Sequence, residues 1–215
     1  MKFADRREAG KRLGEAVTAH DPQAPLVAAL PRGGVPVGFE VAEALDCDLD
    51  VLVVRKVGVP FHPELAMGAV AEGGVVIRNQ EIIDSVGIDE ATFQAAADAE
   101  RAGLEARLAR YREATPAIDP KGRTVVVVDD GLATGSTALA AVEVLGAREA
   151  LGVWLAVPVA PPEVVPVMER ATDRLIVLDS PRRFMAVGAW YRDFSPTSDS
   201  EVVELLDRSR RHRGQ

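Results

Sequence analysis

The residues with the plainest chemical meaning are consecutive: 125–137, VVVVDDGLATGST. An apolar strand ends in two adjacent carboxylates, Asp129 and Asp130. Gly131, Ala133 and Gly135 follow, small residues that let backbone N–H groups approach an anion closely. Thr134, Ser136 and Thr137 add hydroxyl donors. A helix starts directly afterwards, and its N-terminus favours a phosphate. Acids beside an anion cradle conflict unless one ligand satisfies both, and a sugar phosphate does. Its hydroxyls meet the carboxylates and its phosphate meets the loop. The stretch is not a P-loop, because no lysine follows Gly135, and it lacks the G-x-G-x-x-G of a dinucleotide site. A receiver domain, whose paired acids hold Mg2+, needs a later acceptor Asp and then a lysine. Asp179 could be that acid, but the lysines are Lys2, Lys11, Lys56 and Lys121, all before it.

Delivering such a loop requires a sheet edge. Residues 26–30 (LVAAL), 49–54 (LDVLVV), 124–128 (TVVVV), 151–157 and 175–178 read as buried strands, the four consecutive valines most clearly. Helical stretches lie between them: one opened by Asp5 and Glu8 as a capping box and running to Thr18, then 37–45, 137–145 stopping at Gly146, and 161–171. The alternation predicts an α/β fold with a doubly wound, mostly parallel central sheet. The strands at 26–30 and 124–128 are expected to flank its topological switch point, where ligands bind. We expect a single domain over 1–215, with a small hood from about 1–20 and 180–215. Residues 89–113 read as one long helix with Phe93, Ala97, Leu104, Leu108 and Tyr111 on a stripe. Packing at the core edge is one reading of that stripe, a homodimer contact the other. The arginines from Arg208 onward read as a frayed, solvated end.

The net charge is 25 − 33 = −8, which argues against a general nucleic-acid binder. Cys47 is the only cysteine, so neither an internal disulfide nor a cysteine-based zinc site can form. No apolar run reaches the ~18 residues of a membrane span, and the first residues lack the apolar stretch of a secretory signal. A soluble cytoplasmic protein is expected.

VVVVDDGLATGST resembles the diphosphate-sugar binding motif of type I phosphoribosyltransferases. The segments PRGGVPVG, LDVLVVRKVGVP, ELAMGAVAEGG and FMAVGAWYRDF resemble a stand-alone phosphoribosyltransferase group, so the likeness covers nearly the whole chain. It implies transfer of phosphoribose from phosphoribosyl pyrophosphate to a nitrogenous base, with Mg2+ as cofactor held by Asp129 and Asp130 through water. Residues Ala133, Thr134, Gly135, Ser136 and Thr137 would take the 5′-phosphate. Arg32, Gly33 and Gly34 resemble the pyrophosphate loop, which in relatives often contains a non-proline cis peptide, here expected near Arg32-Gly33. Arg55 and Lys56, at the end of the strand LDVLVV, would face the leaving group.

Between Gly58 and Gly74 the relatives carry a mobile loop, and the glycines and prolines here permit a lid. The aromatic stretch 184–194 is loosely similar to a base-stacking segment of six-oxopurine transferases, with Phe184, Val187, Trp190 and Asp193 as candidates. Those enzymes also carry an acid in the phosphate loop that serves the purine N7. Ala133 stands there instead, as in adenine- and orotate-type enzymes, so the acceptor base stays open. Two other activities are compatible with the same motif: a sensor that binds the donor without chemistry, and a hydrolase with water as acceptor.

Overall fold

The computed structural model describes residues 2–113 and 115–213, and the side chains of all of these except Glu64 and Arg213. In chain order the elements are α1 Arg6–Thr18, β1 Pro25–Ala29, α2 Gly34–Leu45, β2 Asp48–Val51, β3 Val54–Val59 and β4 His62–Ala71. A short turn of 3-10 helix, Glu72–Gly74, then leads to β5 Val75–Arg78, α3 Gln80–Val86, α4 Glu90–Arg112, β6 Thr124–Val128 and α5 Ser136–Ala147. The chain ends with β7 Gly152–Val159, α6 Val165–Ala171, β8 Arg174–Asp179, a second 3-10 turn Val187–Trp190, and α7 Asp199–Arg213.

The central sheet is parallel throughout, in the order β2-β1-β6-β7-β8. From β1 the chain steps outward to β2, and from β6 it steps the other way to β7. The switch point therefore falls between β1 and β6, as the sequence predicts. Alternation assigns the side chains to two faces. Val126 and Val128 of β6 join Val27 and Ala29 in a core closed by α1, α2 and α7. Val125 and Val127 join Leu26 and Ala28 in a second core closed by α5 and α6. All four valines are fully buried, each contributing about 1.5–3 kcal/mol of apolar burial. A strand covered on both faces has no polar side to present, which is why this one reads as an unbroken apolar run.

Most of residues 58–74 lie in strands. A second, antiparallel sheet of order β3-β4-β5 occupies this region, with an irregular register around Gly58. Gly68 lies within β4. A Cβ there would stand 2.4 Å from the Ile77 carbonyl and 3.1 Å from the Phe93 ring, so the glycine admits α4 against the sheet. Asp89 caps α4 by accepting from Thr92 N–H at 2.8 Å. Phe93, Ala97, Leu104, Leu108 and Tyr111 are all buried within this chain. At its other end Arg112 donates to Asp50 at 2.6 Å and to Glu72 at 2.6 Å, which ties α4 to β2 and to the turn between β4 and β5.

The two ends of the chain meet. Phe3 N–H donates to the Trp190 carbonyl, Arg192 N–H donates to the Phe3 carbonyl, each at 2.8 Å, and the Phe3 and Tyr191 rings meet tilted at 40°, their centroids 5.5 Å apart. Several element edges differ from the sequence reading. Glu8 completes its cap on Ala4 N–H at 2.8 Å, α5 runs through Gly146 to Ala147, and α6 begins at Val165 because residues 162–164 form a turn. Among the described residues no helix is long and apolar enough to cross a membrane.

Candidate active site

β6 delivers Asp129 and Asp130 to the carboxyl edge of the sheet, beside the turn that follows β1. Asp129 folds back and accepts from Asp130 N–H at 2.8 Å. Pro31, Arg32 and Gly33 form that turn, Gly34 opens α2, and the Pro31–Arg32 peptide is cis. The sequence reading put the cis bond one residue later. The two glycines are dictated by crowding. A Cβ on Gly33 would stand 2.0 Å from Asp130 Oδ2, and one on Gly34 would stand 2.6 Å from the Val128 carbonyl and 3.3 Å from Asp129 Oδ1. Pyrophosphate-loop candidates and acid pair thus form one constellation.

The loop after the acids encloses a cavity of about 180 Å³ lined by Asp129, Val187 and residues 131–138. Thr134 Oγ1 and Ser136 Oγ are 3.1 Å apart within it. Gly135, at φ +75°, turns the chain into α5 and brings no side chain to cap its N-terminus; Ser136 N–H donates to Thr134 Oγ1 at 3.4 Å, and such a helix start favours an anion. Ala133, Thr134, Gly135, Ser136 and Thr137 are therefore brought together beside the acids.

Burial raises the Asp129 carboxyl well above the ordinary carboxylate range, and the charge of Asp130 adds to the rise. Burial also raises Asp130, opposed by Arg6. Arg6 Nε donates to Asp130 Oδ2 at 2.8 Å and its Nη1 donates to the Ser195 carbonyl at 2.8 Å. Its guanidinium lies 3.9 Å from the centre of the Phe194 ring. Tyr191 Oη donates to the Asp130 backbone carbonyl at 2.5 Å. Sequence reasoning missed Arg6 and Tyr191. Arg6 follows a helix cap and looks like any surface charge; Tyr191 sits in the aromatic stretch that drew notice, yet its neighbours were chosen.

The remaining candidates are placed differently from the sequence reading. Arg55 and Lys56 do not end the strand that holds Asp50: β2 stops at Val51, the chain breaks at Leu52 and Val53, and both cations belong to β3 in the second sheet. Arg55 Nε faces Glu100 Oε2 of α4 at 3.1 Å. The break has a reason, since Leu52 and Val53 are buried in opposite cores and the chain must cross between them. Arg32 is exposed. Val187, not Phe184, walls the cavity, its methyl standing 2.6 Å from where a Gly131 Cβ would be. Asp193 is exposed and accepts from Ser195 N–H and Oγ–H at 2.9 and 2.6 Å. The Trp190 indole N–H is buried without a partner among the described residues.

Residues 9–172 match the model of the family described as phosphoribosyl transferase domain. Two Mycobacterium tuberculosis proteins named putative phosphoribosyl transferases are 46% identical over 209 residues, which is 97% of this chain and 47% of theirs. The chain thus spans about half the length of the curated relatives it matches. The crystal structure of TT1426 from Thermus thermophilus superposes with a TM-score of 0.91 at 43% identity, covering 96% of this chain and 98% of that one. AQ2163 from Aquifex aeolicus, at 12% identity and a TM-score of 0.52 over 85% of this chain and 78% of that one, shares the fold. With β1, the Gly33-Gly34 turn, the acid pair and the 131–137 loop all inside the matched residues, the chain belongs to the phosphoribosyl transferase domain family.

Proposed function

We propose that this chain transfers phosphoribose from phosphoribosyl pyrophosphate to a nitrogenous base. The C1′–O bond to pyrophosphate breaks, a C1′–N bond forms, and the acceptor nitrogen loses its proton. One observation carries the reading: Gly33 and Gly34 pack directly on Asp130 and Asp129, while Asp129 also borders the 131–138 cavity. Sites for ribose hydroxyls, 5′-phosphate and leaving group are thereby contiguous. Thr134, Ser136, Thr137 and the open end of α5 bind the 5′-phosphate. Asp129 and Asp130 orient the ribose, and Val187 excludes water from the loop side. Ala133 supplies no acid, so the acceptor proton leaves by another route.

The acid pair fits Mg2+. Among the described residues no cluster of three or more His, Cys, Asp or Glu could hold a metal, so ligand oxygens would complete the shell, as this cation prefers. Asp129 and Asp130 would hold the ion through water, and it would supply positive charge to offset the charge that grows on the leaving group.

The test is pyrophosphate release from phosphoribosyl pyrophosphate across a panel of bases, beside calorimetry of donor binding with and without Mg2+. Release with one base supports transfer. Donor binding without release from any base supports the sensor, a reading favoured by the engagement of Arg55 with Glu100. Release without a base supports the hydrolase. No donor binding at millimolar concentration removes the whole reading.

A further inference from the structure

We propose that the cavity where α1, α2 and the chain entering α7 meet binds a small zwitterion, an amino acid bearing one ammonium and one carboxylate group. It encloses about 160 Å³, far above the ~10–15 Å³ that admits a single water. Arg6 lines it and also donates to Asp130, so the site adjoins the candidate active site through one side chain. It stands without the phosphoribosyl transfer reading.

Two opposite charges in its wall are unmatched. Arg7, in the first turn of α1, is exposed, and Glu201, in the first turn of α7, is half-buried. Both line the cavity. Among the described residues neither side chain makes a hydrogen bond or ion pair, so the two do not reach one another. Their own helices offer no partner. Gly10 and Lys11 lie one turn on from Arg7, and Glu204 and Leu205 lie one turn on from Glu201. An arginine and a glutamate that wall one concavity without meeting match a ligand with a carboxylate for the first and an ammonium for the second.

A buried hydroxyl points the same way. Thr197 lines the cavity and is 6% exposed, yet its side chain makes no hydrogen bond among the described residues. A buried polar group without a partner is uncommon and costly. An ammonium that donates to Thr197 Oγ1 and to the Glu201 carboxylate removes that deficit. The other acids of the wall are partly engaged. Asp5 Oδ1 accepts from Glu8 N–H at 2.8 Å, and Asp193 Oδ1 accepts from Ser195 N–H and Oγ–H at 2.9 and 2.6 Å. Their charge still favours the ammonium end. A metal ion does not fit, since among the described residues no group of three acids could hold one. Pro36 and Pro196 complete the lining and suit a short carbon skeleton.

The experiment is calorimetry of the whole chain with each common amino acid in turn, with acetate and ethylamine as singly charged controls. An amino acid is expected to bind at a concentration where neither control does. Arg7→Gln and Glu201→Gln should each weaken that binding about tenfold to a hundredfold, the worth of a hydrogen bond to a charged group, and Thr197→Val about threefold to tenfold. A thermal melt checks that each variant is folded. No binding of any amino acid at millimolar concentration overturns the proposal. Binding indifferent to Arg7 and Glu201 does so too, as does acetate or ethylamine binding as tightly as the amino acid. Amino-acid binding that needs both charges upholds the site, whether or not the chain releases pyrophosphate from phosphoribosyl pyrophosphate.

Discussion

Arg6 Nε and Asp130 Oδ2 lie 2.8 Å apart across 124 positions of sequence. Arg6 stands before the first residue of the family match, and Asp130 stands inside it. The contact supplies the positive charge nearest to two adjacent acids that burial pushes toward their neutral forms. Whether the pair meets a sugar hydroxyl as acceptor or donor depends on that balance.

Arg6→Gln removes both the charge and the hydrogen bond that oppose the rise of Asp130. Its carboxyl then titrates at higher pH, so ribose 5-phosphate affinity fails earlier as pH falls. Affinity measured from pH 5 to 8 should show the acid limb displaced upward, with Arg6→Lys intermediate. An acid limb that does not move would detach Asp130 from binding.

Asp129→Asn addresses stability. The folded carboxyl titrates well above its ordinary value, whereas the unfolded one titrates near 3.9. The stability contribution is therefore complete below about pH 4 and is lost as pH climbs through the folded value. Asparagine keeps an oxygen for Asp130 N–H and has no charge to bury. We expect a gain of about 0.5–2 kcal/mol at pH 7, no gain near pH 4, and loss of donor binding. Urea denaturation across that range reads the difference; a gain independent of pH would contradict the assignment.

Gly33→Ala tests crowding without conformational strain, because φ is −63° and ψ is −31° at this position. The added methyl would lie 2.0 Å from Asp130 Oδ2, so the acid must leave Arg6 or the turn must rise. A destabilisation of about 1–3 kcal/mol, together with lost ribose 5-phosphate binding, is expected in chemical denaturation and calorimetry. Wild-type affinity in the variant would disprove the shared constellation.

Thr134→Val removes one hydroxyl from the 131–138 cavity and releases its contact with Ser136 Oγ. Ribose 5-phosphate affinity should fall by roughly 1.5–3 kcal/mol, the worth of a hydrogen bond to a charged group. No change in calorimetric affinity would mean that backbone N–H groups alone hold the phosphate.

The central sheet was legible because its strands are short apolar runs between helical segments, and the 131–137 loop because its chemistry is contiguous in sequence. The second sheet was hidden by its own composition. Gly58, Pro63 and Gly68 read as loop, yet Gly68 is a strand residue made necessary by the Phe93 ring, a contact that only tertiary structure reveals. Arg55 and Lys56 were misplaced for the same kind of reason. An apolar run through residues 49–54 gives no sign that Leu52 and Val53 belong to different cores. Arg6 was illegible because no local pattern joins residue 6 to residue 130.

The joining of the chain ends bears on the order in which this molecule folds. Strands β1, β6 and β7, with their connecting helices, can assemble while both termini are free. Phe3 and Tyr191 then meet from opposite ends of the chain, and such closure becomes favourable only once an ordered platform holds the partners near each other. Arg6 and the Tyr191 hydroxyl reach Asp130 through that same closure. Burial of the acid pair and delivery of its counter-charge therefore depend on one and the same closure.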